Sequence, residues 1–115
     1  MIDESVLDFD EATIIAFDKI GTNIKMVFKN ATYGNDFRDV QLILINVKSI
    51  ETEADVTCNN CMAAEDGEII FLELSGNMVE FGVDWNNFAE KLYFNYEYKI
   101  TFDDYSIKFI DDLGG

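Results

Sequence analysis

Apolar residues recur along this chain with period two, and that spacing restricts its fold more than any other feature. In Met78 to Trp85, Val79, Phe81, Val83 and Trp85 share one face while Glu80, Gly82 and Asp84 share the other, the pattern of a strand with one side in a core and one in water. Tyr93 to Phe102 repeats it, with Phe94, Tyr96, Tyr98, Ile100 and Phe102 set against Asn95, Glu97, Lys99 and Thr101. A last segment sets Tyr105, Ile107 and Phe109 against Ser106 and Lys108. Antiparallel β structure follows.

Two segments are apolar on both faces and read as central strands covered twice. Val40 to Val47 carries Val40, Leu42 and Leu44 on one side and Ile43, Ile45 and Val47 on the other, and Ile69 to Leu74 is similar. Turn residues join the strands into hairpins: Gly21-Thr22-Asn23 between Thr13 to Ile20 and Ile24 to Phe28, Gly76-Asn77 between Glu68 to Ser75 and Met78 to Trp85, and Asp103-Asp104 between the last two strands. Asp10-Glu11-Ala12-Thr13 also suits the start of a helix ending at Gly21, but Thr13, Ile14, Ile15 and Phe17 favour a strand. Asn86 to Leu92 reads as one or two helical turns capped by Asn86 or Asn87. The expected fold is one mostly β domain over residues 1–115: an antiparallel β-sandwich or strongly twisted sheet of about seven or eight strands. With no proline, edge protection falls to charge, and Lys25, Lys29, Glu97, Lys99 and Lys108 are the outward candidates.

Charge is the second constraint. The chain has 23 acidic and 8 basic residues, no histidine, and a formal net charge of -15. Up to Thr57 it carries 11 acids and 5 bases, and after it 12 and 3, so the surplus belongs to the whole domain. With hydrophobic residues at 49%, the chain is too apolar for a disordered acidic tail. Its field repels nucleic acid and anionic membranes, which need clustered Lys and Arg, and speeds encounter with a basic protein. The opening residues lack the positive start and apolar run of a secretory signal, and no stretch reaches transmembrane length, so a cytoplasmic protein is expected.

The short motifs are weak. Cys58-Asn59-Asn60-Cys61 lacks the further Cys or His ligands that zinc needs, and acidic neighbours would raise its thiol pKa values, so two reduced thiols in a loop are expected. Catalysis without histidine would rest on paired carboxylates such as Asp8/Asp10 or Asp103/Asp104, which at this acidity arise by chance. Asp8-Phe9-Asp10-Glu11 lacks the glycine and distal glutamate of a calcium loop. Asn30-Ala31-Thr32 fits a glycosylation sequon that has no secretory context, and Leu113-Gly114-Gly115 reads as a frayed end. No enzyme activity, cofactor or metal is expected.

What remains is acid interleaved with aromatic residues, a combination suited to capturing Lys and Arg. Glu51, Glu53, Asp55, Glu65 and Asp66 lie in the acidic connection between the central strands, and Asp84, Trp85, Asp103, Asp104 and Tyr105 at strand ends, with Trp85 and Tyr105 as anchors. Tyr33 to Asp36 offers a similar turn. For Trp85 and Tyr105 the alternation also allows a plain core role.

The runs Leu7-Asp8-Phe9-Asp10-Glu11-Ala12-Thr13-Ile14, Asn23-Ile24-Lys25-Met26-Val27-Phe28 and Val40-Gln41-Leu42-Ile43-Leu44-Ile45-Asn46-Val47-Lys48-Ser49-Ile50 give the chain a size, acidity and strand layout that resemble the small β-rich immunity proteins bacteria make against their own toxins, in particular those of contact-dependent growth inhibition systems. The resemblance implies an antitoxin that binds a basic toxin domain, a nuclease, and covers or distorts its active site. It transfers no functional residue, so the ten surface residues above rest on charge and aromaticity alone. Two other classes stay open. An acidic interaction module or DNA mimic would space its carboxylates along an elongated face, and a carboxylate-dependent hydrolase would bury one carboxyl group in a cleft.

Overall fold

The computed structural model describes residues 2–110. A 3₁₀ turn at Glu4–Val6 leads into β1 (Leu7–Asp8), followed by β2 (Thr13–Ile20), β3 (Asn23–Tyr33), β4 (Asp36–Thr52), β5 (Asp66–Ser75), β6 (Met78–Asn87) and β7 (Leu92–Phe109). Neighbours pair antiparallel in the order β3-β2-β5-β6-β7-β4, and β4 pairs back onto β3. The mostly β, antiparallel layout of seven strands is as expected, but the sheet closes into a six-stranded barrel, with β1 as a short extra strand beside β3, in place of the expected sandwich or open twisted sheet.

Closure explains why two segments expected to be covered twice are covered once. Val40, Leu42 and Leu44 point inward and are fully buried, while Ile43 and Ile45 point out and Ile45 is 36% exposed. Ile69 is buried, whereas Ile70 beside it is 47% exposed. A barrel has one interior, so apolar residues on its outer face stay partly in water. Lys25 and Lys99 have paired strands on both sides, whereas Glu97 pairs only with β6 and Lys108 only with β4, so these two do lie on stretches of β7 with one unpaired side.

The hairpins at Gly21-Thr22 and Gly76-Asn77 form as expected, with Ile20 opposite Asn23 and Ser75 opposite Met78. Gly76 takes φ +60, as the first central residue of a tight hairpin does. Residues 10–20 hold strand β2 and no helix. Asn86 and Asn87 extend β6, and a turn at 88–91 replaces the expected helical turns. Asn87 Oδ1 accepts from the Glu90 amide at 3.2 Å, so the cap chemistry is present without the helix.

Asp103-Asp104 is a correction of another kind: β7 runs through both residues without turning. The inward positions step from Phe102 to Tyr105 on β7 and from Leu44 to Val47 on β4, so the two paired strands change face together. Asn46 makes the change possible by adopting φ +55, a left-handed conformation that Asn tolerates better than most residues. Its amide donates to Asn23 Oδ1 at 3.0 Å, its side chain donates to Asp103 Oδ2, and the Asn77 side chain donates to the Phe102 carbonyl at 3.1 Å and the Asp103 carbonyl at 2.9 Å. The kink is held by side chains from two hairpin turns.

Inside, Phe81 and Tyr98 stack at 4.8 Å between ring centres, and Phe17 meets both edge-on at 5.8 and 5.4 Å. Trp85 is fully buried, and its Nε1 donates to the Tyr98 hydroxyl at 3.1 Å, so the indole nitrogen leaves water without losing a partner. Each such ring contributes about 1.5–3 kcal/mol by burial.

One seam is short. β2 and β5 pair only through Thr13 opposite Glu68 and Ile14 opposite Gly67, continued by Glu11 N to Ile69 O at 2.9 Å and Ile69 N to Ala12 O at 2.8 Å. Beyond Ile14, the connection at 53–65 takes over the pairing: Lys19 N donates to Asn59 O and Cys61 N to Phe17 O, each at 2.7 Å. The strap carries buried Cys61 into the core, and both cysteines are free.

Candidate docking surface

Strand register assembles the outer face of β5, β6, β7 and the far half of β4. Glu68 stands opposite Asp84, and Asp84 opposite Asn95. Four residues further along β6, Glu80 stands opposite Glu73 on one side and Lys99 on the other, and Lys99 opposite Glu51. Between these rows Gly82 pairs with Phe71 and with Glu97. Two carboxylate pairs, Glu68/Asp84 and Glu73/Glu80, thus face each other directly across β5 and β6. Like charges so placed destabilise a sheet; Lys99 opposite Glu80 offsets part of that cost in the second pair, whereas Glu68 and Asp84 have only Thr13 and Asn95 as their other cross-strand neighbours.

The ground between the rows is apolar. A Cβ on Gly82 would lie 2.8 Å from Phe71 Cε1, so the glycine is what lets the half-buried Phe71 ring lie flat on the sheet, next to exposed Ile70. The β6–β7 turn adds Phe88 at 57%, Leu92 at 50% and Tyr93 at 68% exposure. Acids hold its base: the Phe88 amide donates to Glu65 Oε1 at 3.3 Å, and Asn86 Nδ2 donates to Asp66 Oδ2 at 3.1 Å. A hollow of about 390 Å³ between Glu68, Asp84 and Tyr93 meets a second of about 340 Å³ between Glu51, Glu53 and Glu97, and Asn95 lines both.

Of the residues expected at the surface, Glu51, Glu53, Glu65, Asp66 and Asp84 gather here. Asp55 lies on the strap, where hydrogen bonds from the Thr57 hydroxyl and amide hold its carboxyl below the usual range. Trp85 is inside the barrel and presents no anchor. Asp103, Asp104 and Tyr105 lie at the β4–β7 kink. There Lys48 Nζ is 3.4 Å from Asp103, and the Tyr105 hydroxyl donates to Glu4 Oε1 at 2.8 Å, which raises the phenol's pKa.

Sequence reasoning missed Glu68, Glu73, Glu80 and Glu97, although the alternation puts Glu80 and Glu97 outside; what brings the four together is cross-strand register. It missed Tyr93 because that residue opens the strand on the outer side, and Phe88 because its segment read as helical.

Elsewhere the chemistry is sparse. Among the described residues no group of three or more His, Cys, Asp or Glu side chains could hold a metal ion, and no carboxylate is buried. Asp10 is raised by partial desolvation and by the charges of Asp8 and Glu11, while remaining exposed. Burial, more than the nearby charges of Asp18 and Cys58, pushes the Cys61 thiol up. Asn30 of the sequon is exposed at the bulge in β3, the Leu113-Gly114-Gly115 end lies outside the described residues, and no described helix is long and apolar enough to cross a membrane.

Fold and surface together define a small closed β-barrel with an acidic, aromatic-flanked outer face. Neither a scan of protein-family models nor searches of curated proteins and of solved structures finds a match to this chain.

Proposed function

We propose that this protein is an antitoxin of the immunity type, which docks a cationic toxin domain, a nuclease, on the outer face of β5, β6 and β7 and covers the groove where that toxin binds phosphate. One observation carries the reading: Glu68/Asp84 and Glu73/Glu80 are directly opposed carboxylate pairs flanking Phe71 and Ile70. Such an arrangement costs the free protein stability, and a Lys- or Arg-rich partner converts the cost into complementary contacts. Exposed Tyr93, Phe88 and Leu92 supply the apolar area that such an interface desolvates. Action is by occlusion, without catalysis or cofactor, in the cytoplasm.

The test is to purify the C-terminal domain of the protein encoded immediately upstream and titrate it calorimetrically with this protein. A one-to-one complex that silences nuclease activity, and that is lost when Glu68 and Asp84 are both changed to Lys, is the expected result. An upstream product with no toxic domain, or a complex indifferent to the double change, removes the reading.

A further inference from the structure

The barrel wall has a gap where β5 runs past the end of β2. β1 pairs with β3 through Leu7 opposite Tyr33 and Asp8 opposite Thr32, and so lies in line with β2, but it does not pair with β5. Residues 71–75 of β5 bond to β6 on one side, and among the described residues no strand pairs with the other. Ile69 points inward and exchanges its amide and carbonyl bonds toward Ala12 and Glu11. Strand alternation therefore turns the peptide groups of Leu72 and Leu74, which pack against the core from the same side, toward the open side.

The gap is a groove and has chemistry on both sides. Its floor, a space of about 160 Å³, is formed by Leu7, Phe9, Leu72, Leu74 and Ile107, with Glu4 at the rim. Its outer flank carries Glu68 and Glu73 on β5 and Glu80 on β6. The edge carries neither Lys nor Pro, since residues 71–75 read Phe-Leu-Glu-Leu-Ser; a bulge between Ile69 and Phe71 marks its start and Glu73 is its one charge.

We propose that an extended segment of the cationic partner adds to the open edge of β5 at residues 71–75. Alternate side chains of that segment enter the groove as aliphatic groups, and those between them reach Glu68, Glu73 and Glu80 as Lys or Arg. The edge supplies main-chain hydrogen bonds and the alternation supplies selectivity. Charge decides the occupant: a second copy of this chain would bring its own Glu73 against this one, whereas a Lys/Arg strand finds Glu73 as the central outward side chain of the edge, between Phe71 and Ser75, with Glu68 and Glu80 to either side. The inference rests on the proposed function for its choice of partner but not for its geometry.

The probe is an N-acetylated heptapeptide of alternating lysine and valine, titrated against the isotope-labelled full chain by NMR, with hydrogen exchange measured in parallel. Binding with shifts and slowed amide exchange at Leu72 and Leu74 is expected. Affinity should fall about tenfold or more for the same peptide N-methylated at alternate residues, and again for the protein variant Glu73→Lys. The N-methylated peptide leaves the protein unaltered, so a folding defect cannot mimic its effect. Absence of binding, binding that survives N-methylation, or equal binding of a glutamate/valine peptide overturns the proposal. So does concentration-dependent self-association that protects the same amides, since a second copy would then be the occupant. Exchange in the complex with the upstream toxin domain separates the two ideas: a complex without protection at Leu72 and Leu74 keeps the antitoxin and removes the edge. Peptide binding at the edge without any toxin complex does the reverse.

Discussion

Replacing Gly67 by Ala adds one methyl group at the short seam of the barrel. Its Cβ would lie 2.7 Å from Trp85 Cζ3, 2.8 Å from Trp85 Cε3 and 2.9 Å from Ile14 Cγ2. All three are closer than packed carbons allow, and neither neighbour can step aside: Ile14 and Trp85 are fully buried, and Trp85 is tied to Tyr98. Overpacking of this kind costs about 1–3 kcal/mol, and the reduced freedom of the unfolded chain returns about 0.4–1 kcal/mol, leaving a net loss near 1–2 kcal/mol. For 115 residues, an unfolding entropy of about 2.1 cal/mol/K per residue turns that loss into a fall in Tm of about 4–8 °C. Gly82→Ala is the control. Its methyl would meet only the edge of Phe71 at 2.8 Å, and that half-buried ring can swing outward, so a change within about 0.5 kcal/mol is expected. Urea unfolding followed by fluorescence of Trp85, the single tryptophan, reads both variants. Gly67→Ala as stable as the parent, or Gly82→Ala losing as much as Gly67→Ala, would refute the packing argument.

Tyr98→Phe should cost about 1–3 kcal/mol in the same assay, because it leaves the buried Trp85 Nε1 without an acceptor. Burial pushes the Tyr98 phenol up to about 12, above its unfolded value of 10.0, so its contribution is fully present below pH 10 and is lost as pH rises toward 12; the variant should lose that part of the alkaline decline. Glu68→Lys should stabilise the free protein by about 0.2–1 kcal/mol, an effect that salt removes, by turning an opposed carboxylate pair into an attractive one. A thiol reagent should label Cys58 quickly and Cys61 only after denaturation, so counting one fast thiol per native molecule checks the placement of the strap.

The alternation of Val79, Phe81, Val83 and Trp85 carried the strand assignment; it also put Trp85 on the core face, and the structure follows that alternation against the choice of Trp85 as a surface anchor. The two-residue turns at Gly21 and Gly76 were legible because their chemistry is local. Closure was not, because it depends on β3 meeting β4 on one side of the sheet and β2 meeting β5 on the other, pairings that no short window contains. Hence Ile43 and Ile45, apolar on the outer wall, imitated a strand buried on both faces. The change of face at Asp103-Asp104 imitated a hairpin, since a phase shift between acidic residues looks the same whether the chain turns back or kinks. The candidate surface was half legible for a related reason. Composition announced an acid surplus, but only register sets Glu68 against Asp84 and Glu73 against Glu80, and only Gly82 lets Phe71 lie between them.

The proposed function requires that face to attract a cationic protein, and the rate of association with the C-terminal domain of the protein encoded upstream, followed by stopped-flow fluorescence from about 10 to 500 mM salt, tests it most directly. The expected rate is high at low salt and falls by about tenfold or more across the range, with Glu68→Lys combined with Asp84→Lys flattening the dependence. A rate that stays constant with salt, or one that the double variant leaves unchanged, would contradict the account.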